Sequence, residues 1–235
     1  MENEVIIALD FPNASEANDF LRHFHGQSLY VKVGMELYYQ EGAAFIQQLK
    51  NNGHQVFLDL KLHDIPNTVY RAMKVLAGLS VDMVNVHAAG GTDMMKAARS
   101  GLEEGTLAGQ TRPALIAVTQ LTSTSEEQMQ REQLIKRSME ESVLHYARLA
   151  KKSGLDGVVC SAFEAASIEK ATDTSFLRVT PGIRLDGGKS DDQKRIVTPS
   201  NARAMKSSMI VIGRPITGAA DPAAAYQKVV TEWER

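Results

Sequence analysis

The sequence predicts an α/β fold closed as a (β/α)8 barrel. Three observations carry that prediction. Short apolar, β-rich runs recur eight times along the chain; segments with helical periodicity lie between them; and unusual polar residues gather at the C-terminal ends of the apolar runs. Buried parallel strands read as nearly continuous apolar runs, and crossover helices carry an apolar stripe. Their alternation argues for a parallel sheet. Eight units of roughly 30 residues suit a barrel of about 250 residues, and the chain has 235. An open doubly wound sheet would favour a glycine-rich phosphate loop after its first strand. Here the first run is followed by Asp10-Phe11-Pro12-Asn13, which has no glycine.

In chain order, the strands are expected at 5–9, 29–33, 55–61, 83–87, 114–119, 157–160, 176–180 and 209–212. Helices are expected at 15–24, 38–50, 68–77, 92–101, 138–152 and 222–233. Asn13 or Ser15 can cap the first helix, with Glu16 and Asp19 complementing its dipole. Asp221-Pro222 is a cap followed by proline at the first helical position. The polar stretch 123–133 is expected to be a helical or mobile excursion after the fifth strand. No linker or low-complexity tract interrupts the pattern, so residues 1–235 are read as one domain.

Composition narrows the function. Lys plus Arg is 26 and Asp plus Glu is 28, a formal net charge of −2. Nothing in that balance provides a surface for a nucleic acid backbone. The only cysteine, Cys160, excludes an intramolecular disulfide and an all-cysteine metal cluster. Its burial among apolar neighbours is the expectation. The first apolar run is too short for a signal segment or a membrane span, so a cytoplasmic location is expected.

Position is the informative feature, because barrel active sites are built at the C-terminal ends of the strands. Asp10, Lys32, Asp59, Lys61, His63, Asp64, Asn85, His87, Thr119, Gln120, Thr122, Thr180 and Arg214 all fall there. Alternate residues of a strand share a face. In Phe57-Leu58-Asp59-Leu60-Lys61-Leu62, the leucines suit the layer beneath the helices, which leaves Asp59 and Lys61 facing inward. Likewise Val31 and Val33 face outward and Lys32 inward. Two lysines and an aspartate then converge at the barrel mouth. An ion-pair network that merely closes the barrel end is the plain alternative for Asp59 and Lys61 alone. With Lys32, Asp10 and Asp64 at the same rim, a functional cluster is the better reading.

The run Asp59-Leu60-Lys61-Leu62-His63-Asp64-Ile65-Pro66-Asn67-Thr68 resembles the D-x-K-x-x-D-I-P-N-T segment of orotidine monophosphate decarboxylases. Its D-x-K-x-x-D core is shared with a wider barrel superfamily, which includes 3-keto-gulonate-6-phosphate decarboxylase and hexulose-6-phosphate synthase. The Ile-Pro-Asn-Thr extension is the more specific part. Ala8-Leu9-Asp10 resembles the family's opening, and Val31-Lys32-Val33-Gly34 its second-strand signature. Thr180-Pro181-Gly182-Ile183-Arg184 matches T-P-G-I-R, and Val211-Ile212-Gly213-Arg214-Pro215-Ile216 matches the last-strand phosphate motif. Together they span the chain from Val5 to Ile216.

The resemblance implies a cofactor-free, metal-free enzyme that converts orotidine 5'-monophosphate to UMP and CO2, the last step of de novo pyrimidine nucleotide synthesis. It implies Lys61 as the proton donor to C6, within an array of Lys32, Asp59, Lys61 and Asp64, the last donated by the other subunit of a homodimer. Asp10 and Lys32 would hold the ribose hydroxyls, with Thr68 of the partner subunit. Thr122 and the adjacent 119–121 stretch would face the pyrimidine, and Pro181 would offer an apolar surface. Arg184 belongs to the substrate-binding set. Gly213 and Arg214 would hold the phosphate, and Gln193 would touch it from a glycine-hinged loop that closes as a lid. Two other readings stand beside this one: a Mg2+-dependent sugar-phosphate enzyme of the same superfamily, and a catalytically silent nucleotide-binding barrel. The remaining histidines (His23, His25, His54 and His145) show no metal spacing and are assigned to surfaces, and the ten methionines to the core.

Overall fold

A computed structural model describes residues 4–185 and 197–235. Eight parallel strands close into a barrel in chain order. They are β1 (Glu4–Ala8), β2 (Tyr30–Gly34), β3 (Gln55–Leu62), β4 (Met83–His87), β5 (Ala114–Val118), β6 (Gly157–Val159), β7 (Leu177–Thr180) and β8 (Met209–Ile212). Closure is made by β8 returning to β1, with Val5 paired to Ile210 and Ile7 to Ile212. The expected (β/α)8 barrel is the fold found.

The helices are α1 (Ala14–Leu21), α2 (Met35–Asn51), α3 (Pro66–Ala77), α4 (Gly91–Gly105), α5 (Glu126–Glu132), α6 (Met139–Lys152), α7 (Ala162–Ala171), α8 (Pro199–Ala204), α9 (Arg214–Thr217) and α10 (Pro222–Trp233). The last runs over the residues the proline-marked start predicts, and Asp221 caps it by accepting from the Ala224 N–H at 2.9 Å. Asn13, not Ser15, caps α1, accepting from the Glu16 N–H at 3.0 Å. The first helix is shorter than expected, because its last three expected residues form a separate 3-10 turn, Arg22–Phe24. The polar stretch after β5 holds α5, capped by Ser125. Among the described residues, no helix is long and apolar enough to cross a membrane.

The strand alternation divides the core into two layers. Ile6, Ala8, Tyr30, Phe57, Met83, Ile116, Val179 and Met209 fill the barrel interior. Val31, Val33, Leu58, Leu60, Val84 and Val86 point outward into the larger layer beneath the helices. Cys160 is buried in that outer layer, and desolvation pushes its thiol well above the usual range. As expected, it is packing.

The helix that follows the Asp59-to-Thr68 motif is held unusually close to its neighbour. Gly101 and Gly105, one turn apart on α4, lie against the backbone of Tyr70 and Lys74 on α3. A Cβ at either glycine would collide with those carbonyl oxygens. Backbone cannot yield as a flexible side chain does, so Gly101→Ala is expected to destabilise the fold by about 1–3 kcal/mol. A melting curve of the variant checks this, and an unchanged midpoint would contradict the close contact.

His54 is 7% exposed, and its Nδ1 accepts the Leu29 N–H at 3.2 Å. The ring was assigned to a surface from the sequence; it is instead a buried link between β2 and the start of β3. Burial lowers its pKa. A group depressed on folding binds more protons when unfolded, so stability falls as pH drops through its ordinary value near ~6.5. His54→Gln retains an acceptor and removes the titration. Its melting temperature is expected to depend less on pH than the parent's between about pH 7.5 and about pH 5.5.

Candidate active site

The C-terminal mouth of the barrel holds a chain of charges. Lys61 Nζ donates to Asp59 Oδ1 at 2.7 Å, Lys32 Nζ lies 3.6 Å from Asp59 Oδ2, and Lys32 Nζ donates to Asp10 Oδ1 at 3.0 Å. Alternation explains the meeting: Lys32 and Asp59 sit one pleat above the interior residues Tyr30 and Phe57 of the same strands. Exposure varies along the chain, with the Asp59 side chain 11% exposed and that of Asp10, at one end, 66%. Burial alone would push the Asp59 carboxyl up. The two ammonium groups, with hydrogen bonds from Lys61 and Asn85, more than offset it and hold the carboxyl below the usual carboxylate range.

These groups border a cavity of about 180 Å³ lined by Lys32, Asp59, Lys61, Gln120 and Thr122 at its polar rim, with Pro181 beside them. Phe57, Val118, Val159, Val179 and Val211 form its apolar floor. A charged wall over an apolar floor suits a small ligand with an apolar body and a few charged or polar groups on one side. A larger cleft, about 600 Å³, opens at the opposite end of the barrel beside Arg112 and Asp156. Its charges are committed to one another, Arg112 to Asp156 at 2.8 Å and Lys151 to Asp173 at 2.5 Å. The smaller cavity is the one with converging, partly desolvated groups.

Of the residues singled out in the sequence, Lys32, Asp59, Lys61, Thr122 and Pro181 line one cavity, and Asp10 joins through Lys32. Gly213 sits beside them, since a Cβ there would lie 3.6 Å from Asp10 Oδ2. Arg214 follows directly as the first residue of α9, on the exposed rim. Arg184 is half-buried and turns its guanidinium onto the Ile183 carbonyl at 3.1 Å. Asp64 and Thr68 are exposed and do not line the cavity of their own chain. Asp64 Oδ1 accepts the Ile65 N–H at 2.7 Å. Gln193 and most of the expected lid lie outside the described residues.

Thr119 departs from its expected place. Its hydroxyl donates to the Val159 carbonyl at 3.1 Å, so it ties β5 to β6 instead of facing the cavity. Gln120 and Leu121 do line it. The Gln120 amide also reaches Gln133 at 3.1 Å and Ser142 at 3.2 Å, linking the cavity rim to the α5–α6 segment. The apolar floor went unassigned in the sequence, although the same alternation that placed Asp59 inward also places Phe57 there. His87 is half-buried at the end of β4, with its ring 5.6 Å from that of His63. Burial first, then the nearby His63 and Lys61, lowers its pKa. Among the described residues, no group of three or more His, Cys, Asp and Glu side chains is arranged to hold a metal ion.

Comparison with known proteins gives this geometry a family. The chain is 62% identical to orotidine 5'-phosphate decarboxylase of Lysinibacillus sphaericus, over 100% of both chains. It is 61% identical to the Listeria innocua protein of the same name, over 98% of this chain and 99% of that one. The crystal structure of orotidine 5'-phosphate decarboxylase from Lactobacillus acidophilus superposes with a TM-score of 0.88 at 44% identity, covering 99% of each chain. The family model for orotidine 5'-phosphate decarboxylases and the related HUMPS enzymes matches residues 3–229, so the chain belongs to the orotidine 5'-phosphate decarboxylase / HUMPS family.

Proposed function

We propose that the protein removes the C6 carboxyl group of orotidine 5'-monophosphate, giving UMP and CO2, in the last step of de novo pyrimidine nucleotide synthesis. The observation that carries this is the Lys32–Asp59–Lys61 array set above an apolar floor. In the proposed reaction the C6–carboxyl bond breaks and its electron pair stays on C6. A proton from the Lys61 ammonium then forms the new C6–H bond. A positioned ammonium supplies both the proton and a field that favours the developing charge. Asp59, beside the substrate carboxylate, has one of two roles in this scheme: to strain the ground state by like charge, or to orient Lys61 and keep it charged. The apolar floor suits departing CO2 better than it suits a carboxylate.

Asp10 and Lys32 hold the ribose hydroxyls, Thr122 meets the pyrimidine edge, and Pro181 covers the ring. Gly213 and Arg214 bind the phosphate, with Arg184 and Gln193 completing that side. The phosphate placement is supported by the position of these residues after the seventh and eighth strands, where barrels often bind phosphate. A guanidinium matches a dianion with paired donors.

The working form is a cytoplasmic homodimer, in which Asp64 and Thr68 of one subunit complete the site of the other. Within one chain Lys61 reaches only Asp59, while Lys32 is shared between Asp59 and Asp10. Among the described residues, no ion pair joins Asp64 to either lysine. Exposed Ile65 and Val75, beside and on α3, offer an apolar surface for the second subunit.

No cofactor takes part in this scheme. The test is the fall in ultraviolet absorbance of orotidine 5'-monophosphate on adding the purified protein in excess EDTA. Turnover supports the proposal. A folded protein that leaves this substrate untouched, or turns over a sugar phosphate only with Mg2+, overturns it.

A further inference from the structure

The structure assigns Asn85 as the residue that positions the Asp59–Lys61 pair for the proposed decarboxylation, and this assignment rests on that reading of the site. Asn85 is 1% exposed in the middle of β4, pointing into the barrel. Its side chain is used at both ends. Asn85 Oδ1 accepts the backbone N–H of Lys61 at 2.8 Å, and Asn85 Nδ2 donates to Asp59 Oδ1 at 2.7 Å. The same Asp59 oxygen receives Lys61 Nζ at 2.7 Å.

The backbone shows why a side chain is needed there. Leu58 pairs with Val84 and Leu62 with Val86, so Asp59, Leu60 and Lys61 oppose Asn85 alone. The third strand therefore carries two extra residues and bulges. Lys61 has φ 52°, in the left-handed region that a lysine seldom occupies. A bulge interrupts the ladder and re-aims a side chain. The Lys61 N–H takes the Asn85 amide oxygen in place of a strand partner. One amide thus holds the unusual backbone of Lys61 and the carboxylate that its ammonium contacts.

Chemistry fixes which way that amide faces. A backbone N–H only donates, and an ionised carboxylate only accepts. The oxygen must therefore meet Lys61 and the nitrogen must meet Asp59. Neither leucine nor aspartate can do both. Leucine has the bulk without the bonds. Aspartate can accept from Lys61, but its second oxygen faces Asp59 without a proton until one is added. The titratable groups it contacts are Asp59 and Lys61 of β3; Lys32 of β2 reaches the same Asp59 carboxylate, and His87, two residues further along β4, has its ring 5.6 Å from that of His63.

The experiment compares wild type, N85L and N85D for kcat and KM with orotidine 5'-monophosphate, for UMP affinity, and across pH. Misplacing a reacting group by about 1 Å can cost about 100-fold in rate. N85L is expected to lose about that much in kcat while retaining UMP affinity. N85D is expected to be slow near about pH 8 and to regain rate towards about pH 5.5, as the shared proton restores the donor to Asp59. That recovery is a signature a purely structural residue would not give. An unchanged kcat in N85L overturns the assignment, as does an N85D whose pH profile keeps the wild-type shape. The second test stands even where N85L does not fold. Failure of the wild type itself to turn over substrate overturns the decarboxylase reading, whereas an active wild type with an equally active N85L overturns the role of Asn85 alone.

Discussion

Lys61→Ala is expected to lower kcat by about 10⁴-fold or more while UMP still binds. A positioned general acid contributes roughly 10²–10⁴-fold, and a charge aimed at the transition state roughly 10²–10³-fold. Lys61 is assigned both tasks, and its Nζ stands 2.7 Å from Asp59 beside the cavity. The residues proposed to hold ribose and phosphate lie elsewhere on the rim and are left in place by the substitution. Initial rates by absorbance and UMP affinity by titration check the two halves separately. A loss of less than about tenfold would remove Lys61 from the chemical step. The variant also carries a stability signature. Asp59 is held below the usual carboxylate range partly by Lys61. A carboxylate depressed on folding stabilises the protein above its unfolded pKa, near ~3.9, and that stability is lost as pH falls through the folded value. Removing Lys61 weakens the depression, so acid unfolding of the variant is expected at higher pH than for the parent.

Mixing two inactive variants is expected to restore activity if the proposed dimer shares Asp64 between its subunits. Lys61→Ala and Asp64→Ala are each expected to be nearly dead as homodimers. A C2 dimer whose sites borrow Asp64 from the partner places both lesions in one site of the mixed dimer and leaves the other intact. With random exchange, half the dimers are mixed and half of their sites are whole. The expected recovery is therefore about a quarter of wild-type activity. If Asp64 served its own chain, each site of the mixed dimer would carry one lesion and no recovery would follow. The observation that favours sharing is that Asp64 is exposed, hydrogen-bonded to its own Ile65 N–H and, among the described residues, in no ion pair with either lysine of its chain. Subunit exchange under mild denaturant followed by assay, with gel filtration of the product, decides the matter.

Much of this site was legible in the sequence, because period-two alternation is a local property. Leu58 and Leu60 reveal which face of β3 is covered by helices, and so Asp59 faces inward; Val31 and Val33 do the same for Lys32. The order of apolar runs and helical segments likewise determined a closed parallel barrel. Element ends were less legible. Thr119 looked like the next cavity residue, but whether its hydroxyl meets solvent or the Val159 carbonyl depends on β6, forty residues away. His54 looked like a surface histidine until the barrel wall placed the Leu29 N–H against it.

Asn85 shows the same limit at the centre of the site. The sequence by itself determined the barrel, the inward faces of β2 and β3 and the gathering of Lys32, Asp59 and Lys61 at one end. Only the tertiary structure decided that β3 bulges against β4, that Lys61 takes a left-handed backbone, and that the Asn85 amide joins its N–H to the Asp59 carboxylate. The physical reason is that register between strands is a pairing of distant segments. It sets which donor meets which acceptor, and no periodicity within either strand encodes it.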